Sequence, residues 1–246
     1  MPFVYRADLT LMEHTYFASR EVGTLYESEP LIGNYALTYA LGLCAAPYSH
    51  SPAPRYKQDL TPLNQQGIYV TPATFHMESL RFVFSQFNAQ SDSYYFRFDQ
   101  NAVATSHRKA RAANFPQAGK IRMLGSESRA VFYLLAQQAV PALPSYIRLG
   151  KFNSKARVEW EPLRLMSAQP QEGTHELTMF LNAVDLPAEV VNHLRSFSLY
   201  NIYPAPLLRR CRLHGLFWHA VTKHTVTKKD EDIYLPADMR YGVEAL

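Results

Sequence analysis

FVYRADLTL, residues 3–11, alternates without interruption. Phe3, Tyr5, Ala7, Leu9 and Leu11 share one face, and Val4, Arg6, Asp8 and Thr10 share the other. Successive strand side chains point to opposite faces, so this period of two predicts a half-buried strand. A helix is expected next, over Pro30–Leu43. Ser28 or Glu29 can cap it, Pro30 suits its first turn, and Gly42 stands near its end. Its stripe of Leu31, Tyr35, Thr38, Tyr39 and Gly42 predicts packing on a sheet.

Residues 44–66 hold Pro47, Pro52, Pro54 and Pro62 among Ser and Gln, which predicts a loop. Short strands are expected at Ile68–Val70, Leu80–Phe87 and Tyr94–Phe98, the last two as a hairpin. Regular structure resumes at Lys120–Leu124 and Ala130–Ala136. Further strands are expected at Thr174–Leu181, Leu207–Val221 and Ile233–Leu235. A short helix is expected at Pro187–Leu194 and an acidic turn at Asp230–Asp232. Strands outnumber helices, and their order predicts an α+β fold built on an antiparallel sheet, a single domain over residues 1–246.

The chain has 246 residues, 47% hydrophobic and 13% aromatic, enough apolar material for a core. That composition excludes wholesale disorder. Residues 1–11 lack a basic stretch followed by an apolar one, and no run of 18 apolar residues occurs. Neither a secretory signal nor a membrane span is expected. Two cysteines, Cys44 and Cys211, make no disulfide framework and read as free thiols of a cytoplasmic protein.

The net charge of +4 conceals an uneven distribution. Residues 108–157 carry ten basic side chains and one acid, Glu127, for +9; the other 196 residues carry −5. An acidic body with a strongly basic middle is the electrostatic footprint of a polyanion partner. Two stretches concentrate it. Gln100–Gly119 is small, polar and basic, with His107, Arg108, Lys109 and Arg111 and almost nothing to bury, and predicts a protruding insertion. YIRLGKFNSKARV, residues 146–158, offers Arg148, Lys151, Lys155 and Arg157 for phosphates. Asn153 and Ser154 suit phosphate or 2′-hydroxyl oxygens, and Phe152 suits a base face. Gly150 allows close backbone approach.

Phosphate-binding and dinucleotide loops are absent from the sequence, as is a nucleophile elbow. His214, His219 and His224 are spaced five apart and diverge on either a helix or a strand, so no metal or other cofactor is expected. Metal-free ribonuclease chemistry remains open, with His107 beside Arg108 and Lys109 as proton-transfer and phosphate-stabilising groups. A double-stranded-DNA reader also fits a basic middle.

FASREVGTLYESEP from Phe17, NYALTYALG from Asn34 and IRLGKFNSKARVE from Ile147 together resemble the Csc-one family, the Cas-five-type subunit of type I-D CRISPR effector complexes. MLGSESR, residues 123–129, fits the same pattern less distinctively. The resemblance runs from Tyr5 to about Leu235. It implies a ferredoxin-like (RNA-recognition-motif-like) core of the RAMP superfamily, with residues 100–119 as a protruding basic thumb. It implies a non-catalytic subunit that caps the 5′ handle of the crRNA. The implied neighbours are a Cas-seven-type backbone subunit, a Cas-ten-type large subunit and target double-stranded DNA near the PAM. The residues carried over are Ser19 and Arg20 in the first motif, and Lys151, Asn153, Ser154, Lys155 and Arg157 in the second. Lys120 and Arg148 join them through the basic middle. The glycine-rich loop that many relatives carry near the C-terminus is missing, since that third holds only Gly173, Gly215 and Gly242.

Overall fold

The computed structural model describes residues 2–44, 54–88, 118–223 and 230–243. The elements run β1 (Phe3–Leu11), β2 (Arg20–Val22), β3 (Leu25–Glu27), β4 (Leu31–Ile32), α1 (Asn34–Ala40), α2 (Tyr56–Gln66), β5 (Ile68–Val70) and β6 (Ala73–Phe75). They continue as β7 (Phe82–Asn88), β8 (Ala118–Leu124), β9 (Arg129–Ala136), β10 (Tyr146–Leu149), β11 (Ser154–Leu163), β12 (Gln171–Leu177) and β13 (Leu181–Asn182). A short 3-10 turn at Ala183–Asp185 leads to α3 (Ala188–Asn192), β14 (Ser196–Tyr200), β15 (Leu207–Lys223) and β16 (Asp230–Pro236).

Three sheets result. The first has the order β10-β11-β1-β9-β6-β4, with β5 also pairing β9. β1 lies at its centre, antiparallel to β11 and β9, with Ala7 opposite Trp160 on one side and Phe132 on the other. The second is built on β15, which pairs β12, β13, β14 and β16. The third, β2-β3-β8-β7, is small, and β3 and β8 run parallel in it.

The expected strand over residues 3–11 is present with the same ends, but both of its faces are covered. Ala7, Leu9 and Leu11 pack in one apolar cluster with Leu37 and Leu41. On the opposite face Val4 joins Leu213, Phe217 and Ala220 of β15. Arg6 is therefore 1% exposed. Its guanidinium donates to Thr222 Oγ1 at 3.0 Å and to the Lys223 carbonyl at 2.6 Å, and pairs with Asp8 at 3.3 Å. Those bonds offset the desolvation of the charge.

Three local expectations are corrected. Residues 31–32 are strand, paired to β6 through Leu31–Thr74 and Ile32–Ala73, and the helix starts only at Asn34. Burial of both apolar side chains in a ladder outweighs the capping signal, and Ser28 Oγ instead bonds the Phe17 backbone. Residues 56–66, expected as loop, are helical despite Pro62. Leu60 and Leu63 are buried under the first sheet's edge, and Gly67 closes the helix at φ +65°, where a left-handed residue favours glycine. Asp230–Asp232 is strand rather than turn, because β15 extends far enough to pair it, Lys223 opposite Asp230. The hairpin partner expected at 94–98 lies outside the described residues; β7 pairs β8.

The layers are tied at one buried carboxylate. Asp185 is 3% exposed and accepts from Asn34 Nδ2 at 2.7 Å, Tyr35 OH at 2.9 Å, Tyr69 OH at 2.9 Å and the Gly242 N–H at 2.7 Å. Tyr241 closes the same knot, its hydroxyl 2.8 Å from Thr38 Oγ1 and accepting from Val70 N. Burial pushes the Asp185 carboxyl up to about 6 against the opposing pull of its donors. A raised acid pKa means that the folded state holds the proton more tightly than the unfolded chain. The stability it contributes is therefore full below pH about 4 and falls as pH rises to about 6, by up to about 3 kcal/mol. Urea unfolding across that range should show the decline, and Asp185→Asn should flatten it. An unchanged slope in the variant would assign the pH dependence to other groups.

Candidate nucleic-acid interface

β10 and β11 form a tight hairpin whose pairing puts Tyr146 opposite Arg157, Arg148 opposite Lys155 and Leu149 opposite Ser154. The period of two sorts its chemistry. Ile147, Leu149, Ala156 and Val158 are buried in the cluster beneath α1. Tyr146, Arg148, Lys155 and Arg157 stand on the opposite, open face.

Each cation of that face is held. Arg148 Nη1 donates to the Asn153 carbonyl at 3.1 Å and lies 3.6 Å from a Glu13 oxygen. The same Glu13 accepts from the Lys155 N–H at 2.7 Å. Lys155 Nζ sits 4.4 Å from the centre of the Tyr146 ring, and Arg157 pairs with Glu159 at 3.1 Å. These exposed pairs are weak in water, of order 1 kcal/mol or less, so they orient the cations without consuming them.

The turn, residues 150–153, is locked from below. Gly150 has φ +69°, and a Cβ there would lie 2.4 Å from the Tyr16 carbonyl oxygen. Lys151 N donates to that same oxygen at 2.9 Å. Asn153 takes φ +51°, a left-handed conformation that Asn tolerates better than most residues. Phe152 is 56% exposed and tilts over Tyr16 at 5.3 Å, while Lys151 projects into solvent. Ser154 is 2% exposed and its hydroxyl donates to the His14 carbonyl at 2.7 Å. It holds the hairpin to the 13–17 segment, and its side chain is turned away from the open face.

The 17–30 stretch leaves the same place. Arg20 donates to Glu27 Oε2 at 3.0 Å and lies 3.4 Å from Glu29, while Arg122 reaches the other Glu27 oxygen at 3.1 Å. Glu27 is 7% exposed, so one buried carboxylate serves two guanidiniums. Ser19 lines a cavity beside α1, and Lys120 is exposed on β8, lining a separate shallow groove with Thr24, Phe84 and Phe87. The structure thus gathers Arg148, Lys151, Asn153, Ser154, Lys155 and Arg157 on one hairpin, with Ser19 and Arg20 on an arm rooted at its base. Lys120 stands apart on the third sheet. His107, Arg108, Lys109 and Arg111 lie outside the described residues.

A groove of about 780 Å³ runs along the free edge of β10, lined by residues 146–150, Asn153 and Lys155 of the hairpin and by Ala36, Tyr39 and Ala40 of α1. Tyr146, Glu13 and Tyr39 were not among the sequence candidates. Tyr146 opens the same candidate segment, and a period of two from Arg148 is the signal that could have found it. Glu13 and Tyr39 come from distant segments and carry no such signal. Among the described residues no three His, Cys, Asp or Glu side chains gather as a metal site, and no helix is long and apolar enough to cross a membrane. Cys44 is half-buried and Cys211 buried, both free, and burial pushes each thiol up to about 11.

Gly150→Ala is expected to destabilise the protein by about 2 kcal/mol or more, through the strained φ and the contact with the Tyr16 carbonyl. The urea midpoint reads this directly, and a change within about 0.5 kcal/mol would contradict the locked turn.

Residues 2–244 match the sequence family described as type I-D CRISPR-associated protein Cas5/Csc1. A search of curated proteins returns no match.

Proposed function

This chain belongs to the type I-D CRISPR-associated Cas5/Csc1 family, and we propose that it is a non-catalytic subunit of the effector complex that holds the 5′ handle of the crRNA on the β10–β11 hairpin. The observation that carries this reading is the sorting of the hairpin. One face is sealed into the core, and the other presents Tyr146, Arg148, Lys155 and Arg157, the first three also lining the groove along β10, with Lys151 at the hairpin tip. Cations spaced along a strand suit a chain of phosphates, and an aromatic ring among them suits a base. Sequence is then read by pairing between guide and target, while the subunit reads backbone and shape.

The core fits the ferredoxin-like reading in its strand order. β11-β1-β9-β5 lie side by side, each antiparallel to its neighbours, and the crossover from β1 to β5 carries α1 and α2. It departs from that pattern between β9 and β10, where residues 137–145 hold no helix. The thumb reading rests on the sequence of 100–117 and on its place between β7 and β8, which pair as far as Asn88 and Ala118. Residues 118–119, included in the thumb by composition, belong to β8. In this reading the basic insertion, with His107, Arg108, Lys109 and Arg111, lies along the handle toward a Cas-seven-type backbone subunit. The acidic body docks on other subunits, including a Cas-ten-type large subunit beside target double-stranded DNA near the PAM. Ser19, Arg20 and Lys120 extend the contact away from the hairpin. The work is that of a cytoplasmic scaffold.

Lys151→Glu with Lys155→Glu should lower guide occupancy of purified complexes. For the isolated handle, the double variant should also reduce the salt dependence of binding, by about 1.4 in the slope of log K against log salt for two lost contacts. Normal occupancy together with an unchanged slope would overturn the hairpin assignment.

A further inference from the structure

A second cavity, of about 640 Å³, also borders α1 and lies between that helix, the start of α2 and residues 202–205. We propose that it receives a single unstacked nucleobase of the RNA strand that crosses the hairpin, so the inference rests on the reading above and gives that strand a specific hold. Three features of the cavity lead there.

Its walls are aromatic. Tyr39 and Tyr56 meet edge to face at 6.2 Å, Tyr35 lies 5.3 Å from Tyr56, and Tyr203 stands at the mouth, 81% exposed. A volume in the range of small-ligand sites, walled mostly by apolar atoms with few polar groups, suits a flat heterocycle. An exposed tyrosine at the mouth is a stacking platform for one.

Its polar chemistry has a direction. Asp59 lies in the wall with its side chain 10% exposed. It accepts from Tyr39 OH at 2.8 Å through Oδ2, and Arg55 stands 4.0 Å from Oδ1. The asparagines nearby are already committed: Asn34 donates to Asp185 and Asn182 donates to Asn34. Each Asp59 oxygen keeps a lone pair. A carboxylate only accepts, so the cavity selects a base edge that presents N–H donors, best of all two adjacent ones. Arg55, exposed at the rim, is placed for the phosphate that follows the base.

Finally, the cavity borders the hairpin groove. Ala36 and Tyr39 line both, so side chains of α1 form a wall common to the two hollows. A strand resting on Arg148 and Lys155 passes over Ala36 and can turn one base inward.

The test uses the full chain and handle RNA carrying a single abasic site moved along the strand. One position is expected to weaken wild-type binding roughly tenfold. In Tyr203→Ala, whose ring is too exposed to support the fold, and in Asp59→Asn, that position should no longer matter. Cys44 lines the cavity and Cys211 is buried, so alkylation of Cys44 gives a second readout. Intact RNA should slow it, and RNA abasic at the critical position should not. If no abasic position couples to Tyr203 or Asp59 and Cys44 reacts at the same rate with and without RNA, the proposal is wrong. If that happens while Lys151→Glu with Lys155→Glu still abolishes binding, only the cavity assignment falls. If the hairpin variant binds normally and the coupling is present, the cavity stands and the hairpin assignment falls.

Discussion

The Asp185 carboxylate is the constraint on which the rest of the structure depends. Its four donors come from α1, β5 and the segment after β16, and it sits itself in the turn after β13. No two of these are neighbours in sequence except Asn34 and Tyr35. A buried acid of this kind costs free energy to desolvate, and only full satisfaction makes it tolerable. It therefore specifies one arrangement of the two large sheets, because any slip strands a donor or an acceptor. Arg6 does the same at the opposite end of the interface, joining β1 to the last residues of β15. With both ends pinned, apolar packing between the sheets fills the space between.

The hairpin inherits its position from this frame. β11 is paired to β1 along eight residues, so the open face of β10 and β11 is fixed relative to the centre of the sheet. From there the Gly150 turn drops onto Tyr16, and the chain from Tyr16 runs into β2 and β3. The stretches that carry the family resemblance, far apart in sequence, come together here: the hairpin rests on residues 13–16, just before the stretch from Phe17, and its apolar face packs with the α1 stretch from Asn34. That explains why a glycine stands at 150: the chain leaves no room there for a side chain. Glu27 shows the cost of reading charge from composition alone. It binds Arg20 and Arg122 together, so part of the basic character counted along the chain is balanced inside the protein.

Much of this was legible in the sequence, and the failures have physical causes. Residues 3–11 could be read because strand periodicity is local. Their second face could not, since nothing near Arg6 in sequence announces that Thr222 will cover it. Pro62 misled because a proline's cost inside a helix is fixed while the burial of Leu60 and Leu63 depends on a distant sheet. Pro30 misled in the opposite sense, a good helix start overruled by a two-residue ladder to β6. For the site, the cations of 146–158 were visible, but their sorting onto one face of two paired strands was not, because Gly150–Asn153 reverses the chain between them. Ser154 was mistaken for a surface group, because its burial against His14 depends on how the hairpin lands. Glu13, Tyr39 and Asp59 had no local signature at all.

Glu13 does two jobs at the hairpin: its carboxylate accepts from the Lys155 backbone N–H and lies 3.6 Å from Arg148. The ion pair is exposed and therefore weak, so the carboxylate steers the guanidinium without neutralising it. Lys151 and Lys155 have no carboxylate partner within ion-pair distance among the described residues. In the proposed reading, a chain of phosphates laid along this face exchanges one weak ion pair at Arg148 and breaks none at the two lysines, so each added phosphate contributes its contact nearly in full.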